Sequence, residues 1–436
     1  MPRARASNWI YSRKVEEDEN GKKKVVDVLA GFKKGFRCPG GEVVIFTDSG
    51  WAWQMSAKDF RNASEEFDIL LQSHPGPLIK SQRTEKLPGA GIRYAWKLGP
   101  PAENFEDHRI RTLKPESTTA RKNKISLEEV LIGDPELEKA ALLYDTMFRI
   151  MCSSEPQFQD KLSLDISMDQ KFIQEAVAVL TIACSHGAAK AVSMVLENHF
   201  LRLGQRLWTY VAANPAFWLI VATRIKSTIL FKDALCHAVG LIDSRQFIDR
   251  EEFLEENDPQ IKDVCLLIEE KIRDLSKLKI KAEEDLLRHF PAEMYHPAAL
   301  NYTPDRSVYS GQIYLWMTRS LVQQWFVSCI SKDFHHRAED GGMLMYQTIR
   351  KGGDAYLTDD SLGSFNQAFV MSGRANSKPF HDALKSHKET AKTCLNDLMV
   401  DYSQSQKNKD AVLGYLTCMT VNEHEYPWIR VPDARN

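Results

Sequence analysis

The residues best equipped for chemistry in this 436-residue chain gather in two places. Asp333, His335, His336 and Glu339 crowd one short segment, and imidazole nitrogens with carboxylate oxygens are the donor set of a zinc or other divalent-cation site. Their spacing argues against one. Adjacent histidines on a loop project in different directions, and neither an HExxH helix nor a two-plus-two ligand pattern is present. Cys236 and His237 form the second place, a thiol beside an imidazole. A general base must stand in front of the nucleophile it activates, whereas these two are chain neighbours in a run that reads as a buried helix. Gly89-Ala90-Gly91 precedes a strand instead of following one, the wrong order for a phosphate-cradling loop, and GxxxxGKS and GxxxxGKT are both absent. No catalytic, cofactor-binding or metal-ligating residue is therefore assigned, no cofactor is expected, and the chain is read as a non-enzyme.

The elements that would position any site begin with the stretch from Gly41 to Gln72. Val43 to Phe46 is a β-branched and aromatic run, Asp48-Ser49-Gly50 is a turn cluster, and Trp51 to Met55 alternates large and small residues, which predicts a hairpin. Ser56 can cap a first helix and Ser64 a second, with Glu65 and Glu66 suited to that helix N-terminus. Phe60, Ala63, Phe67, Leu70 and Leu71 recur at offsets of three and four and line one buried stripe. Ile92 to Leu98 alternates cleanly and should pair with the hairpin. Trp51 and Trp53 share one strand face, and the sequence offers them as a partly exposed surface that another chain covers.

Strand, hairpin, strand and then a Ser-terminated helix, carried by Glu42-Val43-Val44-Ile45, Trp53-Gln54-Met55-Ser56, Phe60 and Ser64-Glu65-Glu66-Phe67, resembles the opening of a BTB/POZ domain in its divergent fungal form. The resemblance implies an α+β domain, a small sheet covered by helices, over residues 38–204, with a polar insertion at about 99–130 read as a surface loop. Ile173, Val177, Leu180 and Cys184, then Gly187 in the left-handed position after a helix, then Val192, Val195, Leu196, His199 and Leu203, are similar to the paired helices that close such a domain. It further implies homodimerisation through the first helix and the strand edge, and contact with a cullin scaffold. On that basis Lys58, Asp59, Arg61 and Asn62 join Trp51 and Trp53 as a partner or dimer surface. The hydrophobic-x-Glu motif that supports the cullin contact is not clean in Cys152-Ser153-Ser154-Glu155.

Residues 1–37 are expected to form a disordered basic and polar tail, and 205–436 a mostly α-helical domain. In that second half Asn214-Pro215 opens an apolar helix, Ser227 leads into a second that Gly240 stops, and Ile261 to Phe290 is a long charged amphipathic helix expected to dock on its own domain. Ser310 to Ser331 is the most aromatic helix and is read as the centre of the second core, with Trp208, Trp218, Trp316 and Trp325 as packing residues. "FKDALCHAVG", "IYLWMTRSLVQQWF" and "GGDAYLTDDSLGSF" resemble, in that order, the C-terminal half of the same fungal group.

A formal net charge of -2 removes any global argument for nucleic acid. Eight scattered cysteines without CxxC spacing fit a reducing compartment, cytoplasmic or nuclear. Neither a signal sequence nor a membrane-spanning run is found. The function expected is a non-catalytic protein-protein interaction module, a homodimerising scaffold or a ubiquitin-ligase substrate adaptor. A transcription-associated nuclear regulator and a metal-dependent enzyme in the C-terminal domain are the alternatives.

Overall fold

Described by a computed structural model are residues 11–17, 23–29, 35–36, 38, 41–47, 51–73, 94–101, 111–115, 135–153, 156, 158, 166–244, 259–288, 306–332, 340–363, 374–405 and 413–429. They are mostly helical, with two small sheets. The chain divides into two compact units, Met1–Leu203 and Gly204–Asn436.

In the first unit, β1 (Tyr11–Glu17) and β2 (Lys23–Leu29) form an antiparallel ribbon whose register sets Glu16 opposite Lys24 and Glu17 opposite Lys23. Both strands fall within the stretch expected to be a tail. β3 (Val43–Phe46) and β4 (Ala52–Met55) are the predicted hairpin, closed where Thr47 N–H donates to Trp51 O at 3.0 Å and Trp51 N–H donates to Thr47 Oγ1 at 3.2 Å. The chain then passes through α1 (Ala57–Ala63) and α2 (Glu65–Ser73). It returns as β5 (Tyr94–Pro101), parallel to β3, the crossover that parallel strands require.

A strand that the sequence concealed completes the order β4-β3-β5-β6. It is β6 (Arg111–Pro115), antiparallel to β5, inside the stretch read as a surface loop. Arg-Thr-Leu-Lys-Pro has too few apolar residues to show a period, so only pairing along the β5 edge makes it a strand. Every residue of β3 is buried, as befits a strand covered on both faces.

Ser56 and Ser64 cap as expected, accepting from the backbone N–H groups of Lys58 and Glu66 at 3.1 Å each. α3 (Pro135–Met151), α4 (Ile166–Ser185) and α5 (Ala189–Leu201) pack on one another, and α1 meets α3 and α5. Gly187 links α4 to α5 at φ +63°, and the left-handed turn presents the His186 carbonyl to the Ser64 hydroxyl at 2.5 Å. Phe60 joins the layers, stacked on Phe67 at 4.2 Å and on Trp96 at 5.6 Å.

In the second unit α7 (Pro215–Ile225) is buried over most of its length and packs against α6 (Gln205–Ala213) and α8 (Thr228–Asp243). Asn214 and Ser227 cap α7 and α8, accepting from Phe217 N–H at 3.1 Å and Leu230 N–H at 3.3 Å. Gly240 does not stop α8. It lies inside the helix, where the absence of a side chain lets the Leu416 carbonyl approach the backbone. α9 (Pro259–Arg288) docks on α7 and α8, and its inward stripe includes Lys271, Lys279 and Glu283. Each has a partner: Lys271 donates to both Glu425 oxygens at 2.8 Å, Lys279 pairs with Asp243, and Tyr346 OH donates to Glu283 at 2.9 Å. α10 (Arg306–Lys332), α11 (Met343–Lys351), a 3-10 turn at Gly353–Ala355, α12 (Arg374–Cys394) and a further 3-10 turn at Glu423–Glu425 follow. No helix among the described residues is long and apolar enough to cross a membrane.

Candidate functional site

The tryptophans offered as a docking surface are interior. Trp51 and Trp53 are 5% and 0% exposed, stacked at 5.8 Å, and their indole N–H groups donate to Glu138 and Asp145 of α3 at 2.9 Å each. The shared strand face was read correctly, but α3 roofs it. Carboxylates on that helix satisfy the indoles, so no second chain is needed there. Lys58, Arg61 and Asn62 are exposed on α1 and Asp59 is half-buried, while Arg61 is paired with Asp68 at 2.8 Å. The structure therefore separates the six residues into a buried pair and a charged helix face. The Cys152 thiol is pushed up by burial and then by Cys38 and Asp59, which keeps it protonated.

The loop of Asp333, His335, His336 and Glu339 lies outside the described residues. Cys236 and His237 are both described, and they are no nucleophile and base. Cys236 Sγ–H donates to the Asp233 carbonyl at 3.1 Å, and His237 turns its Nδ1 to the Tyr415 hydroxyl at 2.8 Å. Burial drives the thiol well above its ordinary pKa and holds His237 down at about 4, so neither the thiolate nor the imidazolium is favoured. Asp233, one turn earlier, is raised to about 6, again chiefly by burial. The sequence reading missed Asp233 as a member of this group, although its offset of four from His237 was visible.

The remaining surface of interest is built by α10, α12 and residues 353–363, which follow α11. Val322, Leu362, Phe380 and Leu384 form its core, with Tyr314, Leu321 and Leu357 packed against it. Lys388 of α12 is buried and donates through Nζ to the carbonyls of Gly353 and Tyr356 at 2.7 Å and of Leu357 at 3.2 Å. The ammonium also lies 5.0 Å from the Tyr356 ring, itself stacked on Trp325 at 4.4 Å. Leu357 adopts φ +47°, an unusual value for a branched side chain, and its carbonyl is one of the three that the ammonium gathers. His387 ties α12 to α10, its Nε2 meeting the Leu315 carbonyl at 2.9 Å.

α10 is not the centre of the second core. Val322 and Phe326 face inward, but Ile313, Trp316 and Val327 are 41%, 54% and 50% exposed. With the exposed Ser320 and Gln324 they recur at three and four along the helix, which confines them to one outward stripe. Arg319 lies 5.4 Å from the Trp316 ring and adds a cation at the stripe's margin.

This region is also where the chain is similar to a known family. A family model for the FF domain, in its fungal form, matches residues 291–397, which include α10, α11, the 3-10 turn and α12. FF domains are protein-interaction modules. No curated protein and no solved structure matches the chain.

The match overturns the BTB/POZ resemblance, because the family found is a different one and no BTB/POZ model matches any part of the chain. A hairpin feeding capped helices is a local arrangement that many unrelated domains contain, so its residues could not carry a family assignment. The C-terminal segments "IYLWMTRSLVQQWF" and "GGDAYLTDDSLGSF", ascribed to the same group, fall within the FF match instead.

Proposed function

We propose that this chain is a non-catalytic protein-interaction protein, and that residues 291–397 engage a partner through the outward stripe of Ile313, Trp316 and Val327 on α10. The FF match over this segment carries the reading, and the exposure of large apolar side chains along one helix face supports it. Trp is enriched among residues that dominate binding energy, and an arginine at the edge of an apolar patch suits the rim of an interface. The homodimer, cullin and ligase-adaptor roles belong to the BTB/POZ family, to which the FF match does not point. The eight cysteines, none of them in a disulfide, support work in the cytoplasm or nucleus.

The test uses the full chain, tagged, in its native cell, as wild type and as the Trp316→Lys/Val327→Lys variant. Quantitative mass spectrometry of the captured proteins should find a partner that the variant loses. With purified components the same substitutions should weaken its binding by about tenfold or more, the scale of a tryptophan hot spot. Unchanged recovery of every captured protein by a normally folded variant would sink the proposal.

A further inference from the structure

The Asp233, Cys236 and His237 cluster has a geometry that hydrogen bonding inside the protein does not account for. Asp233 is 1% exposed, and its Oδ1 accepts from Gln404 N–H at 2.6 Å. The other oxygen, Oδ2, is buried without a hydrogen-bond partner, as is Nε2 of the fully buried His237. These two atoms face each other at 3.7 Å, too far for a hydrogen bond. Elsewhere in the unit, the carboxylates of Asp243 and Glu425 meet Lys279 and Lys271, whereas Asp233 is set opposite an imidazole. An uncompensated carboxylate and an idle ring nitrogen in a dry interior are each expensive.

We propose that Asp233 Oδ2, Cys236 Sγ and His237 Nε2 bind a zinc ion. One ligand atom from each of the three residues already lies within 4.8 Å of the other two. Bond lengths to zinc put tetrahedral ligand atoms about 3.4–3.7 Å apart, so the Oδ2 to Nε2 separation needs little adjustment. The thiol must leave the Asp233 carbonyl and turn inward. Thiolate, imidazole and carboxylate together are a donor set that selects zinc over magnesium or calcium. Charge also balances, since one carboxylate, one thiolate and a neutral imidazole around Zn2+ sum to zero, and binding releases the thiol proton to solvent.

The contacts behind the ligands suit this role. Nδ1 of His237 meets the Tyr415 hydroxyl, and Oδ1 of Asp233 is fixed by the Gln404 backbone, which leaves Nε2 and Oδ2, 3.7 Å apart, as the remaining donor atoms. Outer contacts of this kind orient metal ligands. Because Tyr415 and Gln404 come from the C-terminal segment, the ion would set the side-chain poses on which that segment docks.

The experiment takes the full chain, expressed without a histidine tag, and measures zinc by elemental analysis. Cobalt uptake follows after the zinc is stripped under mild denaturation. We expect about one zinc per chain, a thiolate-to-cobalt charge-transfer band, and loss of both metal and band in Cys236→Ala and His237→Gln. His335→Ala/His336→Ala should retain them, which separates this cluster from the histidine loop. Should the variants fail to fold, the wild type decides alone: zinc should raise the unfolding midpoint of stripped protein by several degrees. The proposal is overturned by wild type that is folded by circular dichroism yet carries no metal and takes up no cobalt, and equally by metal that departs with the loop histidines and stays in the folded Cys236→Ala protein.

Discussion

A neutral imidazole at His186 fits the hydrogen bonds around it. The Tyr144 hydroxyl accepts from Arg111 N–H at 3.0 Å, lies 3.3 Å from the Arg111 carbonyl, to which it can donate, and meets Nε2 of His186 at 2.8 Å, a contact that a neutral ring makes in either tautomer. Burial lowers the His186 pKa to about 4 from 6.5. A folded-state value below the unfolded one means that protonation favours unfolding. The contribution is therefore complete above pH 6.5 and is lost as pH falls towards 4, amounting to at most about 3 kcal/mol. Urea titrations from pH 7 to pH 4 should show this decline, and His186→Gln should flatten it; equal slopes would refute the assignment. Lys388 permits a second test at this scale. Lys388→Ala deserts three carbonyls and should destabilise the second unit by about 2 kcal/mol or more, whereas Lys388→Met, which keeps the stem, should recover the packing but not the bonds. Equilibrium denaturation of both variants measures the difference.

Among the elements, α8 sets two rules in opposition. Alanine is a better helix former than glycine by about 1 kcal/mol, so helix propensity alone predicts that Gly240→Ala stabilises. The Leu416 carbonyl occupies the space a Cβ would need, and backbone cannot yield as a side-chain tip can. Overpacking of this kind costs about 1–3 kcal/mol, so a net destabilisation is expected on thermal unfolding; a gain would mean that the C-terminal segment moves freely away. β6 and α10 illustrate the same competition between local pattern and tertiary setting. A five-residue run with one leucine becomes a strand because an edge is offered to it. α10 carries apolar residues both inward, at Val322 and Phe326, and outward, at Ile313, Trp316 and Val327. Its existence was legible in the sequence, but the side it turns to solvent was not.

For the whole molecule, two units meet at Leu203 and Gly204 in sequence, and the FF match falls entirely in the second. If the outward stripe is an interaction surface, substitutions there should leave stability nearly untouched, within about 0.5 kcal/mol as for surface changes generally, while abolishing partner capture. Parallel denaturation and capture of Trp316→Lys/Val327→Lys checks both halves; a large loss of stability would mark the stripe as packing. What the sequence by itself determined is local: the caps at Ser56, Ser64, Asn214 and Ser227, the hairpin, and the left-handed Gly187 all follow from interactions within a few residues. The tertiary structure alone decided the roofing of Trp51 and Trp53 by α3, the pairing of β6, the outward turn of Trp316, and the contact of His237 with Tyr415, 178 residues away. Propensity and periodicity report which face of an element is apolar, but which neighbour covers that face depends on chain segments too distant in sequence to leave a mark on it.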